Sequence, residues 1–586
     1  MGRRDDEGLK RGRGGCVFAA MDLNQNIDRK FCDIHWINGI LIGLLGVLIL
    51  SIVILSCVPP VSKDALVHHL AVPRLFLKHG GLYEIPSMDF SYYPMNLDLL
   101  YMIPLFLGQD IIAKFVHFSF ALLTALIIFL YLKDRLNITY GILGVVLFLS
   151  IPIIVKLSMT VYVDLGVIFF STASILFLFR WMKNKFRVGP LVLSAVSCGL
   201  AMGTKYNGLI TFLLTAFLVP FIYARYSIKG QNGLFRALGY ATLFSLLALT
   251  VFSPWMIRNY RWKGNPIYPL YQSWFNSQKA SSNQITAPKV KELQMDRGFF
   301  TYRKVIYKEK WWEMALLPIR IFFQGKDEDP QLFDGKLNPF LLIFPFFAFF
   351  RNREGPEQVG REKMILFAFA LFFFLFAFFS RDLRIRYVSP MIPPLVLLSI
   401  FGVKNLQGTV SRFKSKTVRL FGVSAIILSV IFMMTINADY IRYQFLETQP
   451  FQYITGKLSR DEYISKHRRE YPAIQYINNH LPEDALILFV FLGKRGYYCD
   501  RSYIVSGESK IRRLVQQAAT PEEILMAFRR QGLTHLLIYD PIFTKWINGN
   551  FDEKRKNMIK ELFIKYIKTL YHENGFSVSI INYPLA

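Results

Sequence analysis

The sequence is poor in cysteine, with five in 586 residues. Cys16, Cys32, Cys57, Cys198 and Cys499 are scattered, so neither a disulfide framework nor a cysteine-based metal site organises the chain. Charge is thin too: 19% of residues are charged, and 41 acids face 69 Lys and Arg. No internal repeat is visible, which argues against the repeat architecture of secondary transporters. No small-residue cleavage site follows the first apolar run, and Arg3-Arg4 is followed by acids, which argues against a twin-arginine signal.

What fills the sequence is apolar. Hydrophobic residues make up 53% and aromatic residues 16%, and mean hydropathy is +0.31, too high for an ordinary soluble fold. The apolar residues cluster in runs of roughly 17–25, the length that crosses a bilayer core. The first, Trp36 to Val58, follows a basic head (Arg3, Arg4, Lys10, Arg11, Arg13, Arg29, Lys30) and reads as a retained signal anchor. Further runs lie near 110–132, 138–155, 160–181, 188–204, 206–226, 234–256, 338–350, 362–380, 387–403 and 417–437. The fold class expected is a polytopic α-helical membrane protein of about eleven transmembrane helices with a small C-terminal α/β soluble domain. The segment from Asn338 to Phe350 is short enough to be re-entrant.

Short basic loops set the expected direction. Lys133 with Arg135, then Arg180 to Arg187, Arg225 to Arg236, Arg351 to Lys363 and Lys404 to Arg419 fall on the side of the N-terminus, which is read as cytoplasmic. The net charge of +28 is then explained by topology, and no nucleic-acid partner is called for. The division expected is a cytoplasmic segment at 1–35, a transmembrane domain at 36–437 with outward loops near 59–109 and 258–337, and an extracytoplasmic domain at 438–586. In that last part Ala485 to Phe491, His535 to Tyr539 and Phe576 to Tyr583 have strand patterns. Thr520-Pro521-Glu522-Glu523 opens a helix with a capping box.

The outward ends of the spans carry the candidate chemistry. Asp64 stands before an apolar-periodic stretch, Leu66 to His79, with the spacing of an interfacial helix. It reads either as a helix cap or as a general base at the interface. His68 and His69 follow at spacings that bring His68 to its face, and suit polar contacts to a substrate, as do Tyr92 and Tyr93 further along. Two ligands, Asp64 and His68, are too few for a metal site. Asp164 sits beside a long apolar run, as a hydrated interfacial residue or as a second acid that orients a sugar hydroxyl or a cation. Lys205, between glycines, either snorkels or meets an anion. Arg258, Arg261 and Lys263 among Trp255, Tyr260, Trp262 and Tyr268 read as belt residues or as a lipid-phosphate site. Arg381, Arg384 and Arg386, next to Tyr387, break the inside bias of positive charge and so call for an anionic partner.

Taken together, the acid before an interfacial helix, VYVDLG, GTKYNG, PWMIRNYRWKGNPIYP, FDGKLNPFLLIFP and RIRYVSPMIPPL resemble the GT-C integral membrane glycosyltransferases. The likeness is to bacterial relatives of protein O-mannosyltransferases and of the lipid A aminoarabinose transferase. It extends into the tail through RREYPAIQYINNHLPEDALILF and YYCDRSYIV. The resemblance implies a polyprenyl-phosphate sugar donor, a glycan, lipid or protein acceptor, and inverting transfer on the outer face of a plasma membrane, the bacterial inner membrane. By that likeness Asp64 is the base, Asp164 assists, and Lys205, Arg258, Arg384, Arg386 and Tyr387 hold the lipid phosphate. No cofactor is called for, and divalent metal dependence stays open. Asp64-Ala65 replaces the Asp-Glu of protein mannosyltransferases, and Tyr93-Pro94 the Lys-Pro of aminoarabinose transferases, so no sugar is named. The competing expectation is a transporter or flippase of a lipid-linked glycan.

Overall fold

The structure is a computed structural model that describes residues 35–227, 233–275, 299–350, 357–378, 383–505 and 508–584. The basic head, Cys16, Cys32, Arg381 and residues 276–298 of the second large loop lie outside the described residues. Each apolar run named above falls on helix, most on one and the runs near 138–155 and 387–403 on consecutive pieces. Among the described residues seven helices are long and apolar enough to cross a membrane, or up to eight if a bent pair counts as one span. That pair, Ile138–Ser150 and Pro152–Ser158, bends by 69° at Pro152, where a helix cannot continue without losing a backbone bond. The helices Val188–Thr204 and Phe340–Phe347 are shorter than a full crossing. Glu357–Phe378 has the length, but its first turns carry Glu357, Arg361, Glu362 and Lys363.

The Phe340–Phe347 segment packs on Ile392–Ser411 by close backbone approach. A Cβ on Gly402 would meet the Phe344 carbonyl, so only glycine admits that contact. At one end of the bundle the Arg135 guanidinium and the Tyr131 hydroxyl both donate to the buried carboxylate of Glu362. The candidate site lies elsewhere, among acids and cations of the first large loop and of helix ends.

The tail folds around a five-stranded sheet: β1 (Leu486–Val490), β2 (Ser502–Val505), β3 (His535–Tyr539), β4 (Ile567–Glu573) and β5 (Phe576–Ile581), in the order β2-β1-β3-β5-β4. β1 pairs in parallel with β2 and β3, while β5 runs antiparallel to β3 and β4. The central strands β1 and β3 read as continuous apolar runs because both faces are covered. Thr520 caps the helix Pro521–Arg530, accepting the Glu523 N–H at 3.4 Å. Glu523 returns its carboxylate to the N–H of Ala519, one residue short of the reciprocal box.

This domain is seated on the first large loop. Arg74 donates to the Tyr497 carbonyl and to the Asp500 carboxylate, and Lys78 reaches the Asp500 carbonyl at 2.9 Å. Buried Asp110, at the start of the second long helix, accepts from Arg460 and from the Tyr497 hydroxyl. The tail and the 59–109 loop therefore share one face of the bundle.

Candidate active site

Helix Asp164–Lys183 begins where its partner helix Val188–Thr204 ends, and this pairing brings Asp164 to Lys205. The Lys205 ammonium donates to Asp164 Oδ1 at 2.7 Å, while Asp164 Oδ2 is buried with no hydrogen-bond partner among the described residues. Glycines flanking Lys205 permit the fit: a Cβ on Gly203 would lie 2.3 Å from Asn96 Nδ2, and one on Gly208 would lie 2.4 Å from the Ala201 carbonyl oxygen. His117 fixes the entry of the Asp164 helix. Its Nε2 accepts the Leu165 N–H at 3.1 Å, and its Nδ1 lies 2.9 Å from the carbonyls of Leu157 and Thr160, so the proton sits on Nδ1.

Asp64 occupies the position before the helix but makes no capping bond, which disposes of the cap reading. Its Oδ2 instead accepts from Arg386 Nη1 at 2.5 Å. The turn that follows, Ala65–His69, is a π-helix closed by the Leu70 N–H on the Ala65 carbonyl; such widened turns are frequent at functional sites. His68 stacks on Phe90 with ring centroids 4.4 Å apart. The adjacent His69 meets buried Asp98, Nδ1 to Oδ1 at 2.7 Å. Burial keeps both imidazoles neutral. At Asp64 burial works to raise the carboxyl pKa, but the Arg386 guanidinium, by its charge and its hydrogen bond, outweighs it and holds Asp64 below the usual carboxylate range.

Two aromatic rings join the ion pairs. The Arg386 guanidinium lies 5.2 Å from the ring centroids of both Tyr162 and Tyr387. The Lys205 ammonium lies 5.3 Å from the Tyr387 ring. Asn207 donates to the Tyr387 carbonyl at 3.1 Å and so fixes that residue to the GTKYNG turn. Asp64, Arg386, Tyr387, Lys205 and Asp164, spread over more than 300 positions, thus form one continuous cluster.

Arg258 stands behind it. Tyr93 stacks edge-on against Tyr206 at 5.2 Å, and the Arg258 guanidinium donates to the Tyr93 carbonyl at 3.0 Å and to Asn259 Oδ1. It is held between Trp255 and Trp262, 4.6 and 5.0 Å from their centroids. Arg258 has no carboxylate partner among the described residues, and its Nη1 is buried without a hydrogen bond. Arg384 has a different acid as its partner, donating to Asp334 at 2.9 Å. Tyr92 is also directed elsewhere: its hydroxyl donates to Glu84 at 2.6 Å beside Lys263. Among the described residues no three carboxylate, imidazole or thiol side chains are grouped to hold a metal ion.

Sequence reasoning passed over Tyr162, Asp98, His117, Asn207 and Asn259. Tyr162 was within reach, two residues before Asp164 in VYVDLG. Asp98 and His117 carry no local signal, since each matters through a partner some 30 to 50 positions away.

Residues 90–261 match the family model described as dolichyl-phosphate-mannose-protein mannosyltransferase. That stretch carries Tyr92, Tyr93, Asp164, Lys205 and Arg258, and stops short of Arg384 and Arg386. Among solved structures, ArnT from Cupriavidus metallidurans bound to undecaprenyl phosphate superposes with a TM-score of 0.55 at 13% identity, covering 92% of this chain and 98% of that one. The oligosaccharyltransferase of Archaeoglobus fulgidus gives 0.50 at 10% identity, covering 92% and 73%. No curated protein matches. Over most of its length the chain thus shares the fold of ArnT, helical bundle and C-terminal sheet domain included.

Proposed function

We propose that this protein transfers a sugar from a polyprenyl-phosphate donor to an acceptor hydroxyl on the extracytoplasmic face, with inversion at the anomeric carbon. The observation that carries the reading is the convergence of Asp64, Arg386, Tyr387, Lys205 and Asp164, with Arg258, its Nη1 buried and unsatisfied, linked through Tyr93 to Tyr206, the residue after Lys205. The hydroxyl oxygen attacks the anomeric carbon, the bond from that carbon to the phosphate oxygen breaks, and the hydroxyl proton passes to Asp64. The leaving polyprenyl phosphate gains negative charge as the bond breaks, and fixed cations stabilise that charge most in the transition state. Arg386 and Lys205 are tied to acids, with Arg386 Nε left without a partner among the described residues; Arg258 also has a buried Nη1 to spare and no acid to hold it among the described residues, and Trp255 and Trp262 beside it suit a prenyl chain or sugar face.

The test is transfer of radiolabelled sugar from a polyprenyl-phosphate donor to extracted acceptor by the purified protein in vesicles. Label in the acceptor supports the reading. Label that crosses the bilayer still joined to its lipid would instead make the chain a flippase. In the same assay Arg258→Gln is expected to raise the donor KM about 10–100-fold, the worth of a charged hydrogen bond of about 1.5–3 kcal/mol, with kcat less affected. An unchanged KM would remove Arg258 from the donor site.

The pH profile gives a second check. A general base works unprotonated, and Asp64 is held below the ordinary carboxylate value. Falling pH therefore reaches the ordinary range, about 3.9, before Asp64 takes up a proton. The acid limb of kcat/KM is expected below about pH 4; a limb at 5–6 would assign the base to another group.

A further inference from the structure

Between the end of the first helix at Ser56 and the turn that begins at Ala65 runs a strap, Val58-Pro59-Pro60-Val61, that carries Asp64 at its far end. Pro59 and Pro60 have no N–H, so carbonyls are the main handles by which this strap can be held. Three of them are taken by side chains from elsewhere. Lys114 donates to the Val58 carbonyl at 2.7 Å, the Tyr498 hydroxyl to the Pro60 carbonyl at 2.8 Å, and Arg468 Nε to the Val61 carbonyl. On the other side of Asp64 the Tyr497 N–H donates to the Leu66 carbonyl at 3.2 Å.

Lys114 belongs to a membrane helix, but Arg468, Tyr497 and Tyr498 belong to the tail, more than 400 positions beyond the strap. The tail thus grips the backbone three residues before Asp64 and two residues after it. Simple docking has its own contacts further out, at Arg74 with Asp500 and Asp110 with Arg460, so the grip on the strap is additional to what seats the domain. Asp64 lies in the first turn of its helix, where the Leu66 N–H donates to the Ser62 carbonyl at 3.2 Å, and has no side-chain cap of its own, so the strap sets where that turn enters.

We infer that Arg468 and Tyr498 are positioning residues for Asp64, so that the outer domain completes the active site by fixing the base against Arg386. The inference rests on the reading of Asp64 as the base. Groups facing Asp64 are Arg386 and Tyr162 from other elements and His68 and His69 from its own; with the strap loosened, Arg386 is the one Asp64 stands to lose.

The experiment uses the full-length protein in vesicles with the polyprenyl-phosphate donor, and compares R468M, R468K and Y498F. R468M is expected to lower kcat about 10–100-fold, the cost of a base misplaced by about an ångström, with the donor KM unchanged. Its acid limb should rise toward the ordinary carboxylate range of about 3.9 as Asp64 leaves Arg386. R468K should restore part of the rate, and Y498F, which removes one hydroxyl, should shift rate and limb the same way by less. A wild-type rate in R468M, or a lower rate with the acid limb unmoved, would overturn the inference and leave these contacts as domain docking. Activity retained in Asp64→Asn would sink the base assignment by itself, whereas activity lost there with an unmoved limb in R468M sinks only the positioning role.

Discussion

Asp64→Asn is expected to reduce transfer by about 10²–10⁴-fold, the usual worth of a positioned general base, while leaving the protein inserted, folded and able to bind donor. Asn keeps an oxygen for Arg386 to donate to, so the hydrogen bond survives even though the guanidinium loses its counter-charge at some cost in stability, and what disappears from the chemistry is the site that takes the proton. A carboxylate as acidic as Asp64 is a weak base toward a resting hydroxyl. It suffices here because the hydroxyl proton becomes strongly acidic only as its oxygen bonds to the anomeric carbon, so transfer can come late. Asp64→Glu, one methylene longer, should recover only part of the rate, because the carboxylate must then share its place between Arg386 and the acceptor. Measured donor binding close to that of the unsubstituted protein, together with lost transfer, supports the role; full transfer by Asp64→Asn removes it.

The membrane helices were legible in the sequence because a bilayer demands length and apolarity, and both are local properties. Their ends were less so: the run near 138–155 breaks at Pro152, and the last helix continues to Thr448. In the tail the buried strands β1 and β3 announced themselves as apolar runs. β4, with the sequence IKTLYHE, did not, because its half-exposed pattern follows the helix Glu553–Tyr566 without a breaking residue. The site was readable as a set of unusual charges but not as a set of partners. Nothing near Asp64 says that Arg386 will face it, nor that Arg384, two residues away, will turn to Asp334. Arg384 is the extended residue before the short helix Ile385–Val388 and Arg386 lies inside it, and which of the two meets the acid is settled only by tertiary packing. The same holds for Arg468, whose target is a backbone carbonyl and so has no sequence signature at all.

Arg386→Gln is expected to be costly in two separable ways. It leaves the Asp64 carboxylate, 21% exposed, without the cation that offsets its burial; breaking such a pair from one side typically destabilises by about 3–5 kcal/mol when buried, and the residual exposure places this one at the lower end. If the proposed function holds, it also removes one of the fixed positive charges that would meet the leaving phosphate, for which a fall in kcat of about 10²–10³-fold is the expected scale. Arg386→Lys should not restore either. An ammonium on a flexible stem cannot both reach Asp64 and lie against the rings of Tyr162 and Tyr387, where the planar guanidinium now sits. The double variant Asp64→Asn with Arg386→Gln separates the two effects, because removing both charges relieves the unpaired carboxylate. Thermal unfolding of the double variant should therefore lie above that of Arg386→Gln alone, while its transfer stays as low as that of Asp64→Asn, since residues acting in one step do not lose activity additively. If the double variant were no more stable than the single, the ion pair would not be what Arg386 contributes to the fold. If Arg386→Lys turned over at the unsubstituted rate, a point charge would be enough, and the stacked guanidinium would have no part in holding the phosphate.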